Sequence, residues 1–158
     1  MESLTIAELL VLAGKDEACL SELMTMKMTY GAIEGSDRLR AAIATLYAHQ
    51  EVGNVVVTHG AIGANMLVHK TLVERGDRVI SVVPTYQQHY SIPASIGADV
   101  HLLQLREENS FLPDLEELRA LALPGTHLIA INNPNNPTGS LMDEAMLLEI
   151  VDIARSAG

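Results

Sequence analysis

The sequence predicts an α/β fold: a mostly parallel sheet with helices on both faces, incomplete within this chain, and preceded by N-terminal helices. Three observations predict it. Short apolar, β-branched runs at residues 55–58, 79–83, 100–105 and 127–131 alternate with longer stretches of helical spacing, the pattern of βαβ units. The runs are continuous rather than alternating, as in strands buried on both faces. The run at 128–131 (LIAI) opens directly into 132–139 (NNPNNPTG), a turn-rich segment placed where a strand leaves a sheet.

Each element has its own reason. Residues 4–13 and 17–26 carry apolar side chains at helical spacing. Met24, Met26 and Met28 alternate, as a short extended piece does, or as core methionines at a helix end do. Ser36 is a plausible N-cap for a helix from Asp37 to about His49, with Leu39, Ala42, Ile43 and Leu46 on one face. Residues 55–58 (VVVT) read as the first strand. The turn at 59–65 (HGAIGAN) leads into a helix through about Glu74, which Gly76 and Asp77 break. Residues 79–83 form the second strand, ended by Pro84; a helical stretch from about Tyr86 to Ile96 follows, limited by Pro93. Residues 100–105 are the third strand. Asp114, with Glu117 three residues on, has the capping-box spacing. Residues 127–131 are the fourth strand, and 143–157 the last amphipathic helix. The expected division is a helical segment or dimer arm at 1–50 and a sheet-bearing domain at 51–158. A chain that stops at a helix end leaves a four-stranded sheet with an open edge, so the expectation is an amino-terminal portion of a longer protein.

Composition narrows the classes. The 158 residues are 48% hydrophobic with a mean hydropathy of +0.20, enough for one domain with a core. No window approaches the roughly 18 unbroken apolar residues of a membrane span. Net charge is −10, from 20 acidic and 10 basic residues, a surface that repels phosphate backbones and argues against nucleic acid as partner. The start, MESLT, has neither the basic region nor the apolar core of a secretion leader. The single cysteine, Cys19, excludes an internal disulfide and suits a reducing cytoplasm as a buried, inert thiol. The six histidines show no metal-binding spacing.

Three corners carry the chemistry. At Gly60–Asn65 a strand enters and a helix leaves through small residues; amides at a helix N-terminus suit an anion. The spacing G-x-x-G is neither a dinucleotide fingerprint nor a P-loop, and a tight helix entry explains it equally well. At 83–86 (VPTY), Tyr86 can lay its ring on a flat ligand, or be a half-buried tyrosine at a helix start; Tyr90 lies one turn on. In 132–139, two Asn-Pro steps specify a rigid turn that orients the Asn136 amide; a plain strand-to-helix turn is the alternative. In an open α/β sheet all three corners fall at the carboxyl edge, where ligands bind. A planar, phosphorylated, heteroaromatic ligand would use all three.

On these residues the chain resembles the fold-type I pyridoxal-phosphate enzymes, specifically the class I/II aminotransferases, from about Tyr30 to Gly158. The resemblance rests on the run N-N-P-x-N-P-T-G and the order strand, G-A-x-G-A turn, strand, P-x-Y, strand, N-P-T-G. It implies pyridoxal 5'-phosphate as cofactor, amino acid and 2-oxo acid as substrates, and a homodimer with shared sites. It implies that the backbone of Gly60, Ala61 and Ile62 holds the cofactor phosphate, Tyr86 stacks on its ring, and Asn136 hydrogen-bonds its phenolic oxygen. Tyr30 would reach the phosphate of the neighbouring subunit's cofactor, with Ala32 and Ile33 near the substrate. It also implies a Schiff-base lysine, an aspartate for the ring nitrogen and an arginine for the substrate carboxylate. None of Lys15, Lys27 and Lys70 matches that lysine, so all three groups are expected beyond Gly158, and the 158-residue chain alone is expected to be inactive. Two alternatives stand beside transamination: another pyridoxal-phosphate chemistry (lyase, decarboxylase or cyclase), or a non-catalytic binding or assembly module. A nucleotide-binding domain would want an acidic residue at the end of the second strand, where Pro84 and Thr85 stand instead.

Overall fold

The computed structural model describes residues 3–15 and 17–158. Met1 and Glu2, part of the stretch read above for a leader, lie outside the described residues. The chain divides between Val56 and Val57 into two compact units.

Among its described residues the first unit holds three α-helices and a 3-10 turn at Val52–Asn54. α1 (Ile6–Leu12) starts at Thr5, whose hydroxyl accepts from Glu8 N at 3.2 Å while Thr5 N donates back to Glu8 Oε2 at 2.8 Å. This reciprocal pairing satisfies two amides at the helix end. The two Thr5 bonds, the backbone one foremost, hold the Glu8 carboxyl below its usual range. α2 spans Glu17–Thr25. α3 (Asp37–Ala44) is capped by the Ser36 hydroxyl, as expected, but ends near Ala44 rather than His49. Arg40 ties α3 to the segment after it: Nε donates to Val55 O at 2.8 Å, Nη2 to Val52 O at 2.9 Å, and Glu34 lies 3.1 Å from Nη1.

Little of this unit is buried. Leu39 and Leu46 are exposed and Ile43 is half-buried; the buried helix residue is Ala44. The expected apolar face of α3 is therefore not a core face: Leu46 falls beyond the helix end and no element of this unit covers the stripe. Met24, Met26 and Met28 are exposed, not core methionines. Cys19 is half-buried rather than buried.

The second unit is the α/β part. Its elements run α4 (Gly60–Leu72), β1 (Arg78–Val83), α5 (Gln88–Ile96), β2 (Asp99–Gln104), α6 (Leu115–Leu121), β3 (Thr126–Ala130) and α7 (Glu144–Ala157). The sheet is three-stranded and parallel in the order β2-β1-β3. β1 pairs with β2 from Arg78↔Asp99 to Val83↔Gln104 and with β3 up to Ser81↔Ala130.

Residues 55–58, expected as a strand, are not one. Val55 has strand-like dihedrals (φ −109°, ψ 124°), but no strand among the described residues pairs with it. A β-branched run specifies extended backbone; a strand also needs a neighbour to share its hydrogen bonds.

β1 sits at the centre and is buried from Val79 to Val82. One face packs under α6 and α7: Ile80, Val82, Leu103, Leu105, Leu118, Met142, Ile150 and Ile153 form a single cluster. On the other, α5 packs on β1 and β2, and α4 on α5, with Ile92 and Pro93 buried. α5 ends at Gly97 (φ +92°), a left-handed position that suits glycine. α6 is capped by Asp114, which accepts from Glu116 N and Glu117 N at 2.9 and 3.0 Å. The return half of the expected capping box is not made: the Glu117 carboxylate binds Arg106 Nη1 at 2.6 Å instead. An ion pair with a guanidinium out-competes a bond to a single backbone amide.

Candidate functional site

Parallel strands put their carboxyl ends on one side, so the loops after β1 and β3 leave the same edge. α4 runs back toward the start of β1, which brings its own N-terminus to that edge. A hydrogen-bond chain shows this directly. Asn65, about 7.5 Å along α4 from Gly60 at 1.5 Å per residue, donates through Nδ2 to Gln88 Oε1 at 2.8 Å. Gln88 Nε2 in turn donates to the Tyr86 hydroxyl at 3.1 Å. Gln88 is buried and Tyr86 is partly exposed, at 40%. The structure thus brings the Gly60 corner, Tyr86 and the 132–139 turn to one edge of one sheet.

The α4 N-terminus is open. His59 precedes it without any side-chain cap, leaving the first-turn amides without intrahelical partners. Gly60 has φ +73° and nothing within 4 Å of where a Cβ would stand. Gly63 is needed for a different reason: a Cβ there would meet Thr58 Cβ at 3.1 Å and Oγ1 at 3.2 Å. Gly60, Ala61 and Ile62 are all exposed. No Lys or Arg occurs in 58–65, 83–90 or 131–140, so within these corners an anion would meet amide dipoles rather than a cation.

The 132–139 turn contains four asparagines, and three of their side chains are committed. Asn132 Oδ1 accepts from Asn136 N at 2.8 Å. Asn133 bonds both ways with Met142, Nδ2 to O at 3.2 Å and Oδ1 from N at 2.9 Å. Asn135, only 4% exposed, donates to Pro84 O and Thr138 Oγ1 and accepts from Thr85 Oγ1. Asn136 is exposed, and its side-chain amide makes no hydrogen bond among the described residues. The peptide bonds before Pro84, Pro134 and Pro137 are cis.

Other expected residues lie elsewhere or contribute less. Tyr30, in the first unit, is fully exposed, as is Ile33. His59 is exposed and Tyr90 half-buried. Behind the corner, His69 is buried; its Nδ1 is 2.7 Å from Asn65 O, so that nitrogen carries the hydrogen, and its Nε2 has no partner among the described residues. Burial, and then the charge of His69, hold the neighbouring His89 below its ordinary 6.5. Among the described residues no three His, Cys, Asp or Glu side chains could share a metal ion, and no helix is long and apolar enough to cross a membrane.

Reading the sequence missed the supporting residues: Asn65, Gln88 and Asn135. A signal existed for Asn135, which sits inside the motif. None existed for the Asn65–Gln88 pair, since their 23-residue separation is closed only by the fold.

The family model described as aminotransferase class I and II matches residues 7–158. An aspartate aminotransferase of Pyrococcus horikoshii is 38% identical over 125 residues, covering 76% of this chain and 32% of the relative. The capreomycidine synthase of Streptomyces vinaceus is 33% identical over 136 residues, covering 86% of this chain and 35% of the relative. The solved structure of a PLP-dependent aminotransferase from Streptococcus suis superposes with a TM-score of 0.96 at 49% identity, covering 99% of this chain and 42% of that one. The chain spans about a third of the length of the curated relatives it matches. The family match, the shared α/β fold and the identity with these relatives establish that the chain belongs to the class I and II aminotransferases.

Proposed function

We propose that this chain is the cofactor-gripping part of a pyridoxal-phosphate-dependent aminotransferase. One observation carries the reading: of four clustered asparagines, only Asn136 has an uncommitted side chain, and it stands at the same sheet edge as the open α4 N-terminus. The residues suit the group. The amides of Gly60, Ala61 and Ile62 would take the phosphate, with helix dipole and small side chains favouring an anion. The Tyr86 ring, its hydroxyl held by Gln88, would lie against the pyridine ring. The Asn136 amide would donate to the ring's phenolic oxygen. Tyr30, exposed in the first unit, would serve the phosphate in a second subunit, which makes the assembly a homodimer with residues 1–50 as its arm and 51–158 as a partial cofactor domain.

When bound, the cofactor supplies the electron sink through which an amino group passes between an amino acid and a 2-oxo acid. This chain's part is to bind and orient. Lys70 is not placed for covalent attachment in that grip, being about 15 Å along α4 from Gly60, and neither Lys15 nor Lys27 matches the family's attachment position in the sequence. The attaching lysine is assigned outside these 158 residues, which alone are inactive. The single cysteine supports a cytoplasmic setting.

A second reading has a specific support. Alongside the capreomycidine synthase, the solved structure of a PLP-dependent cyclase, OrfR, superposes with a TM-score of 0.87 at 29% identity. That likeness supports another pyridoxal-phosphate chemistry, such as cyclisation, as the second reading for this chain.

The test is a titration with pyridoxal phosphate, followed by its absorbance. Tyr86→Ala and Asn136→Ala should each weaken binding about 2- to 12-fold, the worth of one stacked ring or one hydrogen bond at 0.5–1.5 kcal/mol. Binding unaffected by both changes would remove the cofactor from this edge.

A further inference from the structure

β1 and β3 stop sharing backbone hydrogen bonds at Ser81↔Ala130. Beyond that pair the Pro84–Thr85–Tyr86 corner and the Asn132–Gly139 turn leave the sheet separately. Among the described residues the only hydrogen bonds that rejoin them come from one side chain. Asn135 Nδ2 donates to Pro84 O at 3.0 Å, and Asn135 Oδ1 accepts from Thr85 Oγ1 at 3.1 Å. The same Nδ2 donates to Thr138 Oγ1 at 2.9 Å. Its own backbone is pinned as well: N donates to Ser140 O at 2.9 Å and O accepts from Gly139 N at 2.7 Å. Thr138 Oγ1 also lies 2.9 Å from Ser140 Oγ, which donates to Phe111 O at 3.0 Å.

Burying an amide to 4% exposure is unfavourable unless its bonds are made. Here both amide hydrogens and the carbonyl oxygen are used, and on partners in two different loops. The residue before Asn135's bonded partner Thr85 is Pro84 and the residue after it is Tyr86; the residue after Asn135 itself is Asn136. A shift of this bracket moves both neighbours together.

We propose that Asn135 is a positioning residue that locks the Tyr86 corner to the Asn136 turn, setting the spacing between ring platform and amide donor without touching the ligand. This deepens the cofactor reading and rests on it. A ring platform and an amide donor held at a fixed spacing suit a planar aromatic ring, whereas the phosphate corner at Gly60 stands on α4 and shares no hydrogen bond with Asn135 itself.

The experiment uses the full chain and three variants. Asn135→Asp keeps the acceptor for Thr85 and loses both donors. Asn135→Ala loses everything. Thr85→Val removes one bond with little change of shape. In threonine-methyl-labelled protein without ligand, Asn135→Asp should shift the Thr85 and Thr138 methyl resonances together. Pyridoxal phosphate should bind about tenfold more weakly to Asn135→Ala, while inorganic phosphate binds within twofold of the unaltered chain. The double variant Asn135→Ala with Asn136→Ala should lose no more than the worse of the two singles, since the first acts through the second. Thr85→Val, the mildest change, should show the same split at smaller size.

Equal losses for pyridoxal phosphate and inorganic phosphate, or additive losses in the double variant, would overturn the positioning role. So would a Thr85 methyl that does not move in Asn135→Asp. If the unaltered chain binds no pyridoxal phosphate, the cofactor reading itself falls, and with it the use assigned to the bracket. The methyl resonances still decide separately whether the bracket exists.

Discussion

Asparagine performs two kinds of work within five positions. Asn132, Asn133 and Asn135 spend their side chains on the turn itself, and Asn136 keeps its amide for something else. The sequence could show that the turn is rigid, because proline removes donors and restricts its neighbour. It could not show which asparagine does what, because that depends on loops 50 residues away. His89 is a similar case. Its neighbours, burial and His69, come from the packing of α5 on α4 and hold its imidazolium below 6.5. The folded state then binds fewer protons than the unfolded one just below that value, so stability falls as pH drops through 6.5 toward the folded value. Well above 6.5, from about pH 7.5, the group is almost wholly neutral in both states and contributes little pH dependence. His89→Gln should therefore flatten the melting-temperature profile below pH 6.5 and leave it unchanged above pH 7.5. A profile parallel to that of the unaltered chain would contradict this.

At the level of elements, periodicity located helices and strands well wherever a partner lay within the chain. β1, β2 and β3 each start one residue earlier than the apolar run that signalled them, and α7 agrees with its predicted span to one residue. The failures share a cause. Among the described residues, 55–58 have the composition of a strand and no strand to pair with, and within its own unit the stripe on α3 has no layer over it. Local pattern reports what a segment is ready to bury, while burial itself is tertiary. The capping box of α6 failed for a different reason, Arg106 claiming Glu117. Held by Glu117 first through the hydrogen bond, that guanidinium has its affinity for the proton raised. α6 nevertheless has one deeply placed anchor. Leu118 is fully buried between sheet and α7. Leu118→Ala should cost about 2–5 kcal/mol of stability, by lost transfer energy plus the cavity, read from denaturant unfolding. A cost below about 1 kcal/mol would mean that α6 is not part of this core.

For the molecule as a whole, the sheet order β2-β1-β3 explains where the candidate site lies. The central strand delivers Tyr86, its neighbour delivers Asn136, and α4 returns its N-terminus to the same side. The strand-and-helix alternation made that edge legible from sequence; the hydrogen-bonded ties that hold its corners together were not. The central claim is that the three corners serve one flat, phosphate-bearing guest. A crystal structure of the protein with pyridoxal phosphate tests it most directly. The account predicts the phosphate on the amides of Gly60, Ala61 and Ile62, the ring against Tyr86, and the phenolic oxygen within hydrogen-bonding distance of Asn136. Cofactor density at any other surface, with these three corners left bare, would contradict it.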